Sequence, residues 1–167
     1  MIAALVAAVA VAAAGIIAAE KRRRRVAASE SAALRDLRSV LVAELRYSQL
    51  NAGHYDRIEC LAAPARCLPR LAAAPALLAA NAFADETRGD YRFVFHPGPP
   101  PARGTVDEKR VSPTSVAAFA YVAVPLTGQL RYRSFCTDST ERLCALASPD
   151  APELKDGVCP LACLDLR

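Results

Sequence analysis

Hydrophobic and polar positions divide the chain into a long helical part and a strand-bearing part. From Ile2 to Ala19 no charged residue occurs, and Glu20 with the basic block Lys21, Arg22, Arg23, Arg24 and Arg25 closes the run. A helix over this stretch rises ~27 Å at ~1.5 Å per residue, barely the hydrocarbon thickness of a bilayer. Alanines make up about half of it and are nearly neutral for insertion. Ile2, Leu5, Val6, Val9, Val11, Ile16 and Ile17 supply the drive. A cleaved signal peptide would carry its positive charge ahead of the apolar part rather than behind it. A buried core helix is the other alternative, and the run reads instead as a membrane anchor.

From Val26 to about Leu50 the pattern becomes two-faced. Leu34, Leu37, Leu41 and Leu45 recur at helical spacing, with Arg35, Ser39 and Arg46 elsewhere around the circle. Apart from Gly15, no Gly or Pro separates the two patterns, so the spacing predicts one continuous helix of roughly 45 to 50 residues. Asn51, Ala52 and Gly53 supply its stop. The chain then divides into residues 1–20, a transmembrane half-helix; 21–52, an amphipathic half; and 53–167, a globular head.

Within the head, His54 to Cys67 reads as an irregular loop around Pro64, and Leu71 to Phe83 as a helical turn or two. Alternation starts at Asp90: Tyr91, Phe93 and Phe95 against Arg92, Val94 and His96, ended by Pro97 to Pro101. A Pro- and charge-rich exposed loop follows to about Pro113. Val116 to Val124 is a second strand, closed by Pro125 and Gly128. Leu130, Tyr132, Ser134 and Cys136 then alternate with Arg131, Arg133 and Phe135, and Asp138 to Glu141 turns a hairpin onto Arg142 to Leu146. The tail from Ser148, with Pro149, Pro152 and Pro160, is irregular. Four antiparallel strands in a meander, packed on one face against the helix, define an α+β fold.

Composition changes this picture in two places. The 53% hydrophobic content is largely alanine, aromatic residues are only 6% and there is no Trp, so a small head has little apolar area to bury. Covalent ties are therefore expected. The net charge of +4 is matched by the arginine run alone, and the head carries no basic face interleaved with aromatics, which argues against a nucleic-acid partner.

The six cysteines fall into close pairs: Cys60 with Cys67, Cys136 with Cys144, and Cys159 with Cys163. An even count at short spacing points to a disulfide framework in an oxidising compartment, though six cysteines allow fifteen connectivities. Cys136 and Cys144 are the best-placed pair, because a hairpin turning about Thr140 sets them opposite one another. Cross-pairing, such as Cys144 with Cys159, stays open. Neither of the first two spacings matches a zinc knuckle and no histidine lies near them, so no metal or cofactor is expected. His54 and His96 read as ordinary loop or surface histidines. The chain has no Gly-x-Ser-x-Gly elbow, no His-Glu-x-x-His and no phosphate loop, which leaves no catalytic constellation and no enzyme reading.

Several segments in order resemble the type IV pilin family. Ser29-Glu30-Ser31-Ala32-Ala33-Leu34-Arg35-Asp36-Leu37-Arg38, then Ala43-Glu44 and Tyr47-Ser48, is similar to the passage from its apolar half-helix to its amphipathic half. His54-Tyr55-Asp56 with Glu59 to Pro64 resembles the loop that follows. Asp90 to Phe93, Ala120 to Pro125 and Arg133 to Ser139 resemble its strands. The resemblance implies a non-catalytic structural subunit or assembly component of a type IV pilus or type II secretion pseudopilus. Its partners would be membrane lipid, other pilin-like subunits through the N-terminal helix, and the assembly machinery. A membrane-tethered binding module that does not polymerise is the alternative.

Family members start with a short basic leader, a Gly cleavage site and a glutamate a few residues into the mature chain. None of these stands here; the glutamate would fall near Ile2 and the usual kinking Pro near Ala19. A start upstream of Met1 or a copy without that processing is therefore expected. The positive-inside rule would put Lys21 to Arg25 in the cytoplasm. The cysteines and the resemblance favour an extracytoplasmic head, with the arginines against outer-face phosphates.

Overall fold

The computed structural model describes residues 2–71, 74–79, 86–102, 111–126 and 132–166, with side chains from residue 15 onward. A single helix, α1, runs from Ile2 to Leu50, 49 residues without a break. Its stop is the expected one. Asn51 N–H donates to Tyr47 O at 2.9 Å and Gly53 N–H to Ser48 O at 2.7 Å, while Ala52 and Gly53 take positive φ of 53° and 89°. These bonds satisfy carbonyls of the last turn.

The buried stripe of α1 is Glu30, Ala33, Leu37, Val40, Ala43, Glu44 and Tyr47. It is turned from the expected leucine stripe: Leu37 is central, whereas Leu34 and Leu41 pack from the side and Leu45 is half-buried. Ala33 and Ala43 explain the turn, since small side chains let the sheet approach the helix axis closely. Arg35, Ser39 and Arg46 are exposed, as the pattern requires.

After α1 the chain forms two one-turn helices, α2 (Ile58–Ala62) and α3 (Pro64–Cys67), then a 3-10 turn at Pro69–Leu71. This corrects the irregular-loop expectation for 54–67. Pro64 sits at the start of α3, where its fixed φ suits the helix and its missing N–H costs nothing, and the Cys60–Cys67 bridge joins the two turns. Of the helical turn expected over 71–83, residues 74–79 carry no helix, and 72–73 and 80–83 lie outside the described residues.

The sheet contains six strands among the described residues, all antiparallel and adjacent in chain order: β1 (Thr87–Arg88), β2 (Tyr91–Pro97), β3 (Phe119–Pro125), β4 (Ser134–Asp138), β5 (Leu143–Leu146) and β6 (Leu164–Asp165). The α+β expectation holds, with short strands added at both edges. Val116 precedes β3 and bridges to Tyr55 instead. The exposed loop expected up to Pro113 falls mostly outside the described residues, but Ser112 at its end is buried.

Two cores lie on the two faces of the sheet. Tyr91, Phe93, Phe119, Tyr121, Ala123, Phe135, Leu143 and Ala145 face α1, joined by Tyr132 from just before β4. Ala120, Val122, Val124, Cys136 and Cys144 face the C-terminal tail. Every residue of β3 and β4 is consequently buried, since helix and tail cover opposite faces.

The tail is where the cysteine expectation fails. Cys60 bonds Cys67, but Cys136 bonds Cys159 and Cys144 bonds Cys163. Cys136 and Cys144 do stand opposite one another in register. Side chains of directly opposed residues leave a sheet on the same face, so both sulfurs rise toward a segment lying above them. Asp138 holds that segment by accepting the Cys159 N–H at 2.8 Å, and Arg142 donates to Pro160 O at 2.9 Å and Cys163 O at 2.6 Å. Gly157, at φ +71°, lies against Gly98: a Cβ there would come within 2.8 Å of Gly98 N. The tail is irregular, as expected, apart from β6 and a bridge between Lys155 and Val158.

Candidate functional site

Two features invite a functional reading: the end of α1 that outruns the sheet, and the polar cluster where α1 hands over to the head. In the first, residues 15–19 and the whole basic block Lys21 to Arg25 are exposed, with Ile16 and Ile17 about 70% accessible. Glu20 pairs within the helix, 2.9 Å from Arg24 and 3.3 Å from Arg23. Arg25 reaches Asp90 at 3.6 Å, and Val26 is the first of the described side chains packed on the core. Among the described residues no helix is long and apolar enough to cross a membrane.

One turn further, α1 is fastened by charge. Glu30 is buried and takes the Arg133 guanidinium at 2.6 Å and the Arg133 N–H at 3.1 Å, and Arg133 lies 5.5 Å from the Phe135 ring centroid. The glutamate beside it holds the Arg133 guanidinium above its ordinary pKa. Arg88 adds a second tie to Asp36 at 3.1 Å. Sequence spacing could not find these partners, which are separated by up to 103 residues.

The second feature gathers Glu44 and Tyr47 of α1, Asn51 at its stop, Asp56 beyond it, and Ser112, Thr114 and Ser115 before β3. Asn51, fully buried, donates to His54 O at 3.0 Å and Ser115 Oγ at 2.8 Å and accepts the Ser112 N–H at 2.9 Å. Asp56, also fully buried, accepts from Tyr47 Oη at 3.2 Å, Thr114 Oγ1 at 2.8 Å and its neighbour's N–H, that of Arg57, at 2.9 Å. Its own N–H donates to Glu44 Oε2 at 3.3 Å, while Glu44 Oε1 has no partner among the described residues. Burial raises the Glu44 carboxyl well above the usual carboxylate range; the Asp56 N–H opposes this and the Asp56 charge adds to it. Tyr47 is raised for the same reason, first by burial and then by Asp56. A visible signal was available: Glu44 lies seven residues after Leu37 and three before Tyr47, a charge on the packing face.

Beside this cluster a cleft of about 550 Å³ has Phe93, Phe95 and Tyr121 among its walls and Arg57, Glu59 and Glu86 as its charged residues. Neither histidine belongs to a metal-ligating group among the described residues; burial alone lowers the pKa of His96. Four of the six cysteines serve as ties beneath the tail. The remaining pair, Cys60 and Cys67, borders the polar cluster, with Asp56 close to both sulfurs.

No family model, no characterised protein and no solved structure matches the chain.

Proposed function

We propose that this chain is a non-catalytic subunit or assembly component of the type IV pilus or type II secretion pseudopilus kind. Its N-terminal helix lies in the membrane or in a bundle with neighbouring helices, and the head lies on the extracytoplasmic side. The observation that carries this reading is the end of α1 beyond the sheet. Residues 2–25 extend ~36 Å at helical rise, and the exposed Ile16 and Ile17 lie about one turn before the five consecutive basic side chains Lys21 to Arg25. Such a rod suits lipid or small-residue helix packing on its apolar part and phosphates at its basic collar. The uncharged run from Ile2 to Ala19 supports the anchoring, and three disulfides support an oxidising side.

Crosslinking in intact membranes is the test. Ladders of the chain with itself or with pilus or secretion components, lost when Ile16 and Ile17 are changed to Asp, are the expected result. A chain recovered in the aqueous fraction, uncrosslinked, would refute the proposal. The aromatic-walled cleft favours one second reading, a tethered binding module. In that case function survives when residues 1–20 are replaced by an unrelated anchor, whereas a filament subunit loses it.

A further inference from the structure

Asp56, Cys60 and Cys67 bring one carboxylate oxygen and two sulfurs within 4.8 Å of one another. The three come from different local elements: Asp56 precedes α2, Cys60 lies in α2 and Cys67 ends α3. The carboxylate is already oriented by Tyr47, Thr114 and the Arg57 N–H, the kind of outer support that fixes a metal-binding carboxylate. A cavity of about 340 Å³, lined by both cysteines with Arg57, Glu59, Arg66 and Thr114 among its walls, gives access to the two sulfurs from solvent.

We propose that these three residues form a redox-gated site for a thiophilic divalent cation of the zinc type, closed while the disulfide stands and opened by a dithiol reductant. The inference does not rest on the filament reading. Reduction begins at Cys67, whose residue is half-buried where Cys60 is buried. One thiolate of the dithiol attacks Cys67 Sγ and expels the Cys60 thiolate. The second thiol of the reductant then attacks its own sulfur in the mixed disulfide and releases Cys67. Two electrons pass to the protein, and the reductant leaves as its disulfide.

The geometry accommodates the ion. Zn–S bonds of about 2.3 Å at a tetrahedral angle put two ligating sulfurs ~3.8 Å apart. The Cα separation of 5.6 Å allows that spread by side-chain rotation, with Ala63, outside helical φ/ψ between α2 and α3, as the joint. Binding releases up to two thiol protons per ion to water, Asp56 supplies the third ligand, and water completes the tetrahedron. Soft thiolates select such an ion over magnesium or calcium.

The test uses the full chain reduced with a phosphine, freed of reductant without air, and titrated with Co²⁺ alone. Because full reduction also exposes the four tail cysteines, the native chain is compared with the Cys60→Ser/Cys67→Ser variant under identical treatment. The native chain should bind one more ion than the variant, with a thiolate-to-cobalt absorption band. Asp56→Asn should weaken that extra binding about tenfold or more. If Asp56→Asn does not fold, Cys67→Ser, at a half-buried position, removes a ligand in its place. Equal binding by the native chain and the double serine variant would overturn the proposal, as would affinity unchanged by loss of Asp56 or Cys67.

Discussion

The tail disulfides give the sharpest test of how the head is held together. Changing Cys144 and Cys163 to alanine opens a loop of sequence separation 19 and leaves the Cys136–Cys159 loop, of separation 23, intact. Chain-entropy arithmetic assigns about 3 kcal/mol to a loop of either size. The two loops overlap between residues 144 and 159, so losing both costs less than the sum. Denaturant unfolding followed by circular dichroism should show the C144A/C163A variant about 3 kcal/mol less stable with the slope nearly unchanged. The Arg142 bonds to Pro160, Cys163 and Asp165 remain as a partial clamp. Connectivity is read independently from a non-reducing tryptic digest, because cleavage after Arg133, Arg142 and Lys155 puts Cys136, Cys144 and the Cys159/Cys163 pair on separate peptides. Either cross-pairing of the hairpin with the tail links all three into one species, and a further chymotryptic cut after Leu161, between Cys159 and Cys163, joins Cys136 to the Cys159 fragment and Cys144 to the Cys163 fragment. A two-peptide species carrying Cys136 and Cys144, beside a lone tail peptide, would refute the pairing, and a stability loss well under 1 kcal/mol would refute the reasoning about the loop.

Three further outcomes are expected. Glu44→Gln should stabilise the chain at neutral pH: an acid whose folded pKa lies above its unfolded value binds more protons when folded, so its stability contribution is complete below about pH 4.3 and declines as pH rises through the folded pKa, at about 1.36 kcal/mol per unit of displacement. Melting curves at acid and mildly alkaline pH check this; a wild type whose stability does not fall across that range relative to Glu44→Gln would contradict it. Leu37→Ala, at the fully buried centre of the helix stripe, should cost about 2–5 kcal/mol in urea unfolding, against a few tenths for Arg35→Ala on the exposed side. Reversing Arg22 and Arg23 to Glu should weaken flotation with anionic vesicles without shifting the melting temperature of the head; unchanged flotation would remove the phosphate-contact role of the collar.

How much of this was legible beforehand depends on the range of the interaction. Helix continuity from Val26 to Leu50 follows from neighbours three and four apart and from the lack of a breaker, and Asn51-Ala52-Gly53 stop it for local backbone reasons. Alternation in β2 and the facing of Cys136 and Cys144 across a tight hairpin are likewise short-range. Beyond Glu44, whose place on the packing face is a local signal, the polar cluster was illegible because Asp56 and Thr114, 58 residues apart in sequence, gain their meaning only by meeting.

By itself the sequence determined one long helix, a meander of strands, six cysteines suited to disulfides and an uncharged run closed by a basic block. Tertiary structure alone decided the rotation of the helix on the sheet, because Ala33 and Ala43 matter only once a sheet presses on them. It also decided that Glu44 and Asp56 are buried together. Finally it decided which cysteines join. Two sulfurs on one face of a hairpin are equally ready for each other or for a third segment, and the course of the tail over the sheet, set by Asp138, Arg142 and the Gly98–Gly157 contact, selects the partner.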